Sequence, residues 1–266
     1  MPDYVLKATA GNGQIRVFAA TTQGLSETAR RLHQTSPVVT QALGRLLTAG
    51  ALMGSMMKNA DELITLKIAG DGPMSGLLVT ADAKGNVKGY PYVNDLHDTI
   101  DSPLPVSTAI GGGALNIMKD IGLKEPYVGY SPLVSGELAE DLTYYYAQSE
   151  QIPTSVSLGV LLNDDGTVKQ AGGFIIQLMP DTDDEVIDEL EVALAATPSL
   201  TKLLDEGKTL EAIMEDLFKN LNLKVNKTEI TRFSCDCSRQ RITKALISIG
   251  KKDLIDIIAD QEDIEI

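Results

Sequence analysis

The sequence predicts an α+β protein in which an N-terminal, mainly antiparallel sheet domain with packed helices precedes short helices and a small C-terminal segment. Three observations support this fold class. Up to about residue 180, strand-like alternation is interrupted by turn-forming residues. After Pro180, apolar residues recur at helical spacing. From residue 233 onward, the chain holds both of its cysteines and is too short to build a core alone.

The N-terminal elements are predicted from turns and caps. Apolar residues alternate on both sides of Gly11-Asn12-Gly13, which predicts a β-hairpin. Ser36 and Pro37 are typical of an N-cap and a first helical turn, and the apolar run that follows predicts a core helix over 38–57. Turn residues then separate three predicted strands of an antiparallel meander, at 63–69, 76–82 and 87–93.

The rest of the predicted sheet domain contains one more helix and three strands. A strand near 127–134 leads into a helix over about 137–149. Strands at 156–162 and 168–178 flank the turn Asn163-Asp164-Asp165-Gly166.

Three short amphipathic helices are predicted after Pro180. Thr182-Asp183-Asp184-Glu185 matches a capping box, so we interpret the acidic stretch 181–191 as a solvated helix start rather than a cation site. A second helix follows Pro198, and a third begins near Thr209. We therefore predict three parts: a core domain at 1–180, a helical linker at 181–232 and a partial C-terminal domain at 233–266.

The composition excludes some classes of binding partner and predicts the cellular compartment. With 23 basic and 37 acidic residues, the net charge is 23 − 37 = −14, which opposes binding to nucleic acid. Apolar runs are too short for a membrane span, and the N-terminus lacks the basic, apolar pattern of a signal peptide. Two cysteines cannot form a disulfide framework. These features predict a cytoplasmic protein without a nucleic acid or membrane partner.

Cys235-Asp236-Cys237 is the strongest chemical signal. Two thiolates at this spacing can bind one zinc ion, although a structural zinc site takes four ligands. The same pair could form a strained, easily reduced disulfide, or the two cysteines could be incidental. Arg232, Arg239 and Arg241 flank the pair and favour thiolate over thiol.

Other candidate motifs are weaker. Gly111-Gly112-Gly113 lacks the Lys-Ser/Thr ending of a phosphate-binding loop, so a structural turn is favoured. His33 and His97 lie beside no nucleophile motif, so polar structural positions are favoured over catalytic bases. No catalytic residue is therefore assigned.

Three stretches carry a resemblance to a known family. They are residues 135–143 with Ser149-Glu150-Gln151, residues 171–180, and residues 233–238 around the cysteine pair. Together they make the whole chain resemble the redox-regulated heat shock protein 33 family, also called 33 kDa chaperonins.

The resemblance implies a non-enzymatic stress chaperone. It implies an ATP-independent holdase that binds unfolded or partly unfolded client proteins and forms a homodimer when oxidised. Cys235 and Cys237 match the first half of a four-cysteine redox switch, which binds zinc when reduced and forms disulfides when oxidised. The second pair would follow Ile266, so relative to the family the chain looks C-terminally shortened and its zinc-type domain incomplete.

Two alternatives remain at this stage. The cysteine pair could exchange with substrate disulfides, which would make the protein a thiol-disulfide oxidoreductase. A zinc-ribbon nucleic-acid binder is the weaker alternative, because the charge of −14 opposes it.

Overall fold

The structure is a computed structural model that describes residues 2–235 and 238–260. It divides into two compact units, with the boundary after Phe233. The strands are β1 (Tyr4–Ala10), β2 (Ile15–Thr21), β3 (Leu63–Gly70), β4 (Gly76–Asp82), β5 (Asn86–Pro91), β6 (Gly113–Asp120), β7 (Tyr127–Pro132), β8 (Thr154–Leu162), β9 (Val168–Leu178), β10 (Lys224–Ile230) and β11 (Arg232–Phe233). The helices are α1 (Gln23–His33), α2 (Pro37–Ser55), α3 (Val106–Ile110), α4 (Leu138–Tyr145), α5 (Asp184–Ala196), α6 (Leu200–Asp205), α7 (Leu210–Leu217), α8 (Arg239–Ser248) and α9 (Lys251–Asp260).

Two sheets organise the first unit. The first has the strand order β10-β1-β2-β9-β8 and is antiparallel throughout. The second has the order β11-β5-β4-β3-β6-β7, and only the two-residue β11 pairs in parallel there. The predicted α+β class with antiparallel sheet is therefore confirmed.

Helix α2 is buried between the sheets and forms the centre of the main core. Ser36 occupies the N-cap position and Pro37 the first turn, as the sequence predicts. Sixteen of the nineteen helical residues are buried, so α2 has no solvent face to make it amphipathic. It packs against residues from both sheets, including Phe18 and Ile175 from the first and Leu66 and Val79 from the second.

Helices α5 to α7 form a second layer on the opposite face of the first sheet. Apolar residues from these helices and from β1, β2 and β9 make a separate core cluster. In the other direction, β10 pairs along the outer edge of β1, and Thr231 then directs the chain to β11 beside β5. The division predicted at residues 180 and 232 stays a prediction.

The capping box predicted at Thr182 is wrong in detail. Helix α5 begins one residue later, with Asp183 at the N-cap position and no side-chain cap. The Thr182 hydroxyl instead donates to the carbonyl oxygens of Gln14 and Met179, at 3.1 and 2.7 Å. These bonds attach the start of α5 to the sheet. Thr209 does cap α7, accepting from the Ala212 amide at 3.2 Å.

Asp141 explains part of the motif at residues 135–143. It is 1% exposed, and its Oδ1 accepts hydrogen bonds from the amides of Val134 and Ser135, at 2.7 and 3.1 Å. Burial raises the pKa of the Asp141 carboxyl above its usual value, although the amide hydrogen bonds oppose the rise. The motif therefore stabilises the loop that enters α4.

Glu27 on α1 connects this helix to the start of β9. It accepts from the Arg30 guanidinium at 2.8 Å and from the Val168 amide at 3.0 Å, and these bonds lower the pKa of the Glu27 carboxyl. Its contribution to stability is therefore present above the unfolded-state pKa of about 4.3 and is lost as the pH falls through the folded-state pKa.

Replacing Glu27 by glutamine is expected to lower the free energy of unfolding by about 1 kcal/mol at pH 7, because a charge-assisted pair is lost. Urea titrations at pH 7 and pH 3 should show that the difference from the parent protein shrinks in acid. Glu125→Gln, in an exposed loop, is the matched control. A difference that persists unchanged at pH 3 would contradict the assigned electrostatic role.

Candidate functional site

Cys235 is the described member of the predicted thiol pair. It is exposed, and it follows the last residue of β11 by two positions, at the start of the second unit. Cys237 lies outside the described residues. Among the described residues, no group of three or more histidine, cysteine or acidic side chains is arranged to hold a metal ion. The described donors therefore do not make a structural zinc site.

Arg232 and Arg239 are the flanking arginines whose side chains the structure describes, and the side chain of Arg241 lies outside the described part. Arg232 belongs to the first unit, where its Nε donates to Asn86 Oδ1 at 3.0 Å. Arg239 is exposed in the first turn of α8. The prediction that these cations lower the pKa of the cysteines stays a prediction.

The weaker candidates occupy structural positions. Gly112 donates its amide to Asp71 Oδ1 at 2.7 Å, and Gly111 has a φ of +73°, which a glycine adopts without strain. His33 Nε2 lies 2.9 Å from the carbonyl oxygen of Gly89, and the His97 side chain is 91% exposed beside Asp95. The glycine run therefore connects α3 to β6, and the described polar contacts of the two histidines are with Gly89 and Asp95.

A further candidate surface is the apolar face of the first sheet beneath α5 to α7. We call these helices, with the residues that follow them to Leu221, the helical cover. Eight sheet residues face it, and all are buried: Leu6, Ala8, Ala10, Ile15, Val17, Ala19, Phe174 and Ile176. Ten buried residues of the cover meet them: Leu190, Leu200, Leu203, Leu204, Leu210, Ile213, Met214, Leu217, Phe218 and Leu221.

Several polar bonds also join the cover and its start to the sheet. Gly11, between β1 and β2, donates its amide to the Leu221 carbonyl oxygen at 2.6 Å, and the Gln14 side chain forms two hydrogen bonds with Asp183, at 2.9 and 2.7 Å.

Tyr4 on β1 donates to Glu211 Oε2 at 2.9 Å, and Lys169 on β9 pairs with Asp205 at 2.8 Å. Burial and the bond to Glu211 raise the pKa of the Tyr4 phenol, so it remains a hydrogen-bond donor at neutral pH. Surface ion pairs contribute about 0–1 kcal/mol each, so apolar contact is the main attachment of the cover.

Separation of the cover from the sheet would expose the apolar residues of both. The helices of the cover have 13, 6 and 8 residues, and isolated helices of that length are marginal in water. Once separated from the sheet, they would lose most of what stabilises them. The sheet face beneath would then be an apolar patch of the kind that binds other proteins.

Comparison with known proteins places this architecture in a family. The family model described as "Hsp33 protein" matches residues 3–266. The chain belongs to the Hsp33 family. Among curated Hsp33 relatives, the 33 kDa chaperonin of Lachnoclostridium phytofermentans is 53% identical over 268 residues, covering 100% of this chain and 92% of the relative. That of Agathobacter rectalis is 51% identical over 269 residues, covering 100% and 93%.

A solved Hsp33 structure has the same fold. The crystal structure of the 33 kDa chaperonin (heat shock protein 33 homolog) from Thermotoga maritima superimposes with a TM-score of 0.87 at 33% identity. The match covers 99% of this chain and 90% of that one. The resemblance found in the sequence is therefore confirmed at the level of the family.

Sequence reasoning found the Hsp33 cover but not the surface beneath it. Helical spacing after Pro180 identified the apolar faces of the three helices. The opposing sheet residues alternate along β1 and β2, and this alternation predicts a hairpin. Alternation shows that a strand has two faces but does not say which element covers each one.

Among the described residues, no helix combines the length and the apolar character that a bilayer span requires.

Proposed function

We propose that this protein is an ATP-independent holdase chaperone that binds unfolded or partly unfolded proteins on the first sheet when the helical cover separates from it. The observation that carries the proposal is the interface between the cover and the sheet, where ten buried apolar residues of the cover meet eight of the sheet. The names of the curated relatives, 33 kDa chaperonin, support the same function.

Oxidation of the cysteine pair is the proposed trigger. Peroxide would take two electrons and two protons from the thiols of Cys235 and Cys237, forming one sulfur–sulfur bond and converting the peroxide into two waters. Exposure of Cys235 supports this step, because an oxidant can reach its sulfur. The consequence we propose is that oxidation rearranges the chain after Phe233 and that the helical cover then separates from the sheet.

Zinc binding stays a prediction of the resemblance. Cys235 and Cys237 would supply two thiolates, and a structural site needs further ligands that the described residues do not offer. No step of the proposed mechanism therefore depends on zinc. We also propose, from the family alone, cytoplasmic location, a homodimer in the oxidised state and the absence of enzymatic turnover.

The test is aggregation of a thermally unfolding client, followed by light scattering without ATP. Oxidised protein is expected to suppress scattering several-fold more than reduced protein. Cys235→Ser should remove most of this difference, because one remaining thiol cannot form the intramolecular bond. Ser234→Ala is the control beside the pair. If oxidised Cys235→Ser suppressed aggregation as well as the oxidised parent, the proposed trigger would be wrong.

A thiol-disulfide oxidoreductase remains the second candidate, because an exposed Cys235 could attack a substrate disulfide. Repeated reduction of a small disulfide substrate by the protein and an added reductant would support this activity. Suppression of aggregation that saturates at a fixed ratio of protein to client would support the holdase instead.

A further inference from the structure

A cavity of about 360 Å³ lies at the C-terminal end of α2, away from the helical cover. This volume falls in the range of small-molecule sites, about 300–1,000 Å³. Three methionines from the last turn of α2 and just beyond it, Met53, Met56 and Met57, line the apolar part together with Ile64 and Ile152. Thioether side chains are flexible and polarisable, so such a wall can adapt to an aliphatic ligand.

The charged lining of the cavity is unusual for this protein. Arg16, Lys58 and Lys119 oppose the carboxylates of Glu62 and Glu150, which leaves a net charge of +1. The whole chain carries a net charge of −14, so this is a locally positive site on an acidic protein. A local excess of one positive charge favours a monoanion.

Both carboxylates in the lining already have partners within the protein. Lys119 Nζ lies 2.6 Å from Glu150 Oε1, which also accepts from the Tyr145 hydroxyl at 2.6 Å. Glu62 Oε2 accepts from the Lys58 amide at 2.8 Å. These bonds fix both carboxylates against the cavity wall.

The guanidinium of Arg16 is different. Among the described residues it has no hydrogen-bond acceptor or carboxylate partner, and its one specific contact is with the Phe18 ring, 5.1 Å from Cζ to the ring centre. Arg16 is half-buried on β2, beside the buried Gln177 of β9. A guanidinium without a protein acceptor is available to a ligand, and a carboxylate would supply the paired acceptors that its planar fork matches.

We propose that this cavity binds a medium-chain aliphatic monocarboxylate. The carboxylate pairs with Arg16, and the aliphatic chain lies along the three methionines. The buried Tyr146 hydroxyl donates to Met56 Sδ at 3.7 Å, which orients one of these thioethers in the wall. The proposal is independent of the holdase function, since neither the cover nor the cysteine pair contributes to the cavity.

The first measurement uses the unmodified reduced protein with methyl-labelled methionine and decanoate as the probe. We expect saturable shifts in the NMR signals of Met53, Met56 and Met57, with little change at Met179 and Met214. Met214 lies beneath the cover, so it reports binding to the proposed client surface. Shifts centred on Met214, or spread without saturation over all the methionines, would overturn the proposal.

The second measurement is calorimetric titration with three probes that share a ten-carbon chain. Decanoate should bind about tenfold or more tightly than decanol or decyltrimethylammonium, because only the carboxylate can pair with Arg16. Arg16→Gln should weaken decanoate binding by about the same factor and leave decanol unchanged. Arg31→Gln, at an exposed arginine of α1 outside the cavity, is the matched control.

Two results would contradict the assignment of Arg16. One is equal affinity for decanoate and decanol in the parent protein, and the other is an unchanged decanoate affinity in a folded Arg16→Gln variant. Circular dichroism and thermal unfolding establish that the variant is folded. If the Arg16→Gln variant does not fold, the relative affinities of decanoate and decanol for the unmodified protein test whether a carboxylate is preferred.

Discussion

Met214→Ala is expected to make the reduced protein suppress client aggregation without any oxidant. Met214 is fully buried on α7, in the cluster between the helical cover and the first sheet. Truncating a buried methionine removes apolar contact and leaves a cavity, at a cost of about 2–5 kcal/mol. Because apolar contact is the main attachment of the cover, this loss should increase the population in which the cover is separated from the sheet.

Light scattering of a thermally unfolding client measures the gain in activity, and amide hydrogen exchange measures its location. We expect protection to fall first in α5 to α7 and to persist in α2. Local separation of the cover would expose the amides of α5 to α7 alone, whereas global unfolding would expose those of α2 as well. Hydrogen exchange distinguishes these two events.

Met74→Ala is the matched control for Met214→Ala. Met74 is also a fully buried methionine, but it belongs to the main core around α2. We expect a similar loss of stability with much less activity in the reduced state. Equal activation by both substitutions would mean that general instability exposes the client surface, and no activation by Met214→Ala would exclude the covered sheet face as that surface.

Periodicity predicted the elements whose side chains alternate or repeat. The N-terminal hairpin, the meander from β3 to β5, the strands β8 and β9, and α2 are confirmed close to their predicted bounds. Most of the apolar residues that define these patterns are buried, although those of β8 are mostly half-buried. Helices α5 to α7 follow the same rule, because one face of each meets the sheet.

Five of the described elements are not predicted, namely α1, α3, β6, β10 and the two-residue β11, and three of them show different physical reasons. Strand β10 is exposed along almost all of its length, so it joins β1 through the backbone and carries no alternating signal. Helix α1 has only three buried residues and low apolar content. Strand β6 does alternate, but only Leu115 and Ile117 are buried, so its signal is short and begins within the glycine run.

The candidate sites depend on contacts that no local pattern contains. The cysteine spacing and the family motifs could be found in the sequence alone. The methionine-lined cavity could not, because Arg16, Met56 and Glu150 are brought together from a strand, a helix end and a π-helical turn. Sequence identifies chemistry that is adjacent in the chain, whereas this cavity exists only after both sheets have packed on α2.

Gly50→Leu is expected to lower the free energy of unfolding by about 2–4 kcal/mol, since overpacking outweighs the gain of about 1 kcal/mol in helix propensity. A Cβ atom at Gly50 would lie 2.6 Å from Val79 Cγ1 and 3.5 Å from Val87 Cγ1. The close approach of α2 to β4 therefore requires the absence of a side chain at this position. Urea unfolding monitored by circular dichroism measures the loss.

A double-mutant cycle identifies the cause of that loss. Val79→Ala removes the methyl group that a Cβ at Gly50 would meet. The Gly50→Ala, Val79→Ala double variant should therefore be about 1 kcal/mol more stable than the sum of the two single effects predicts. Additive effects would show that the glycine is needed for some other reason. Coupling of the expected sign would establish that the second sheet packs directly on the backbone of α2, and that this contact sets the spacing between the helix and the sheet.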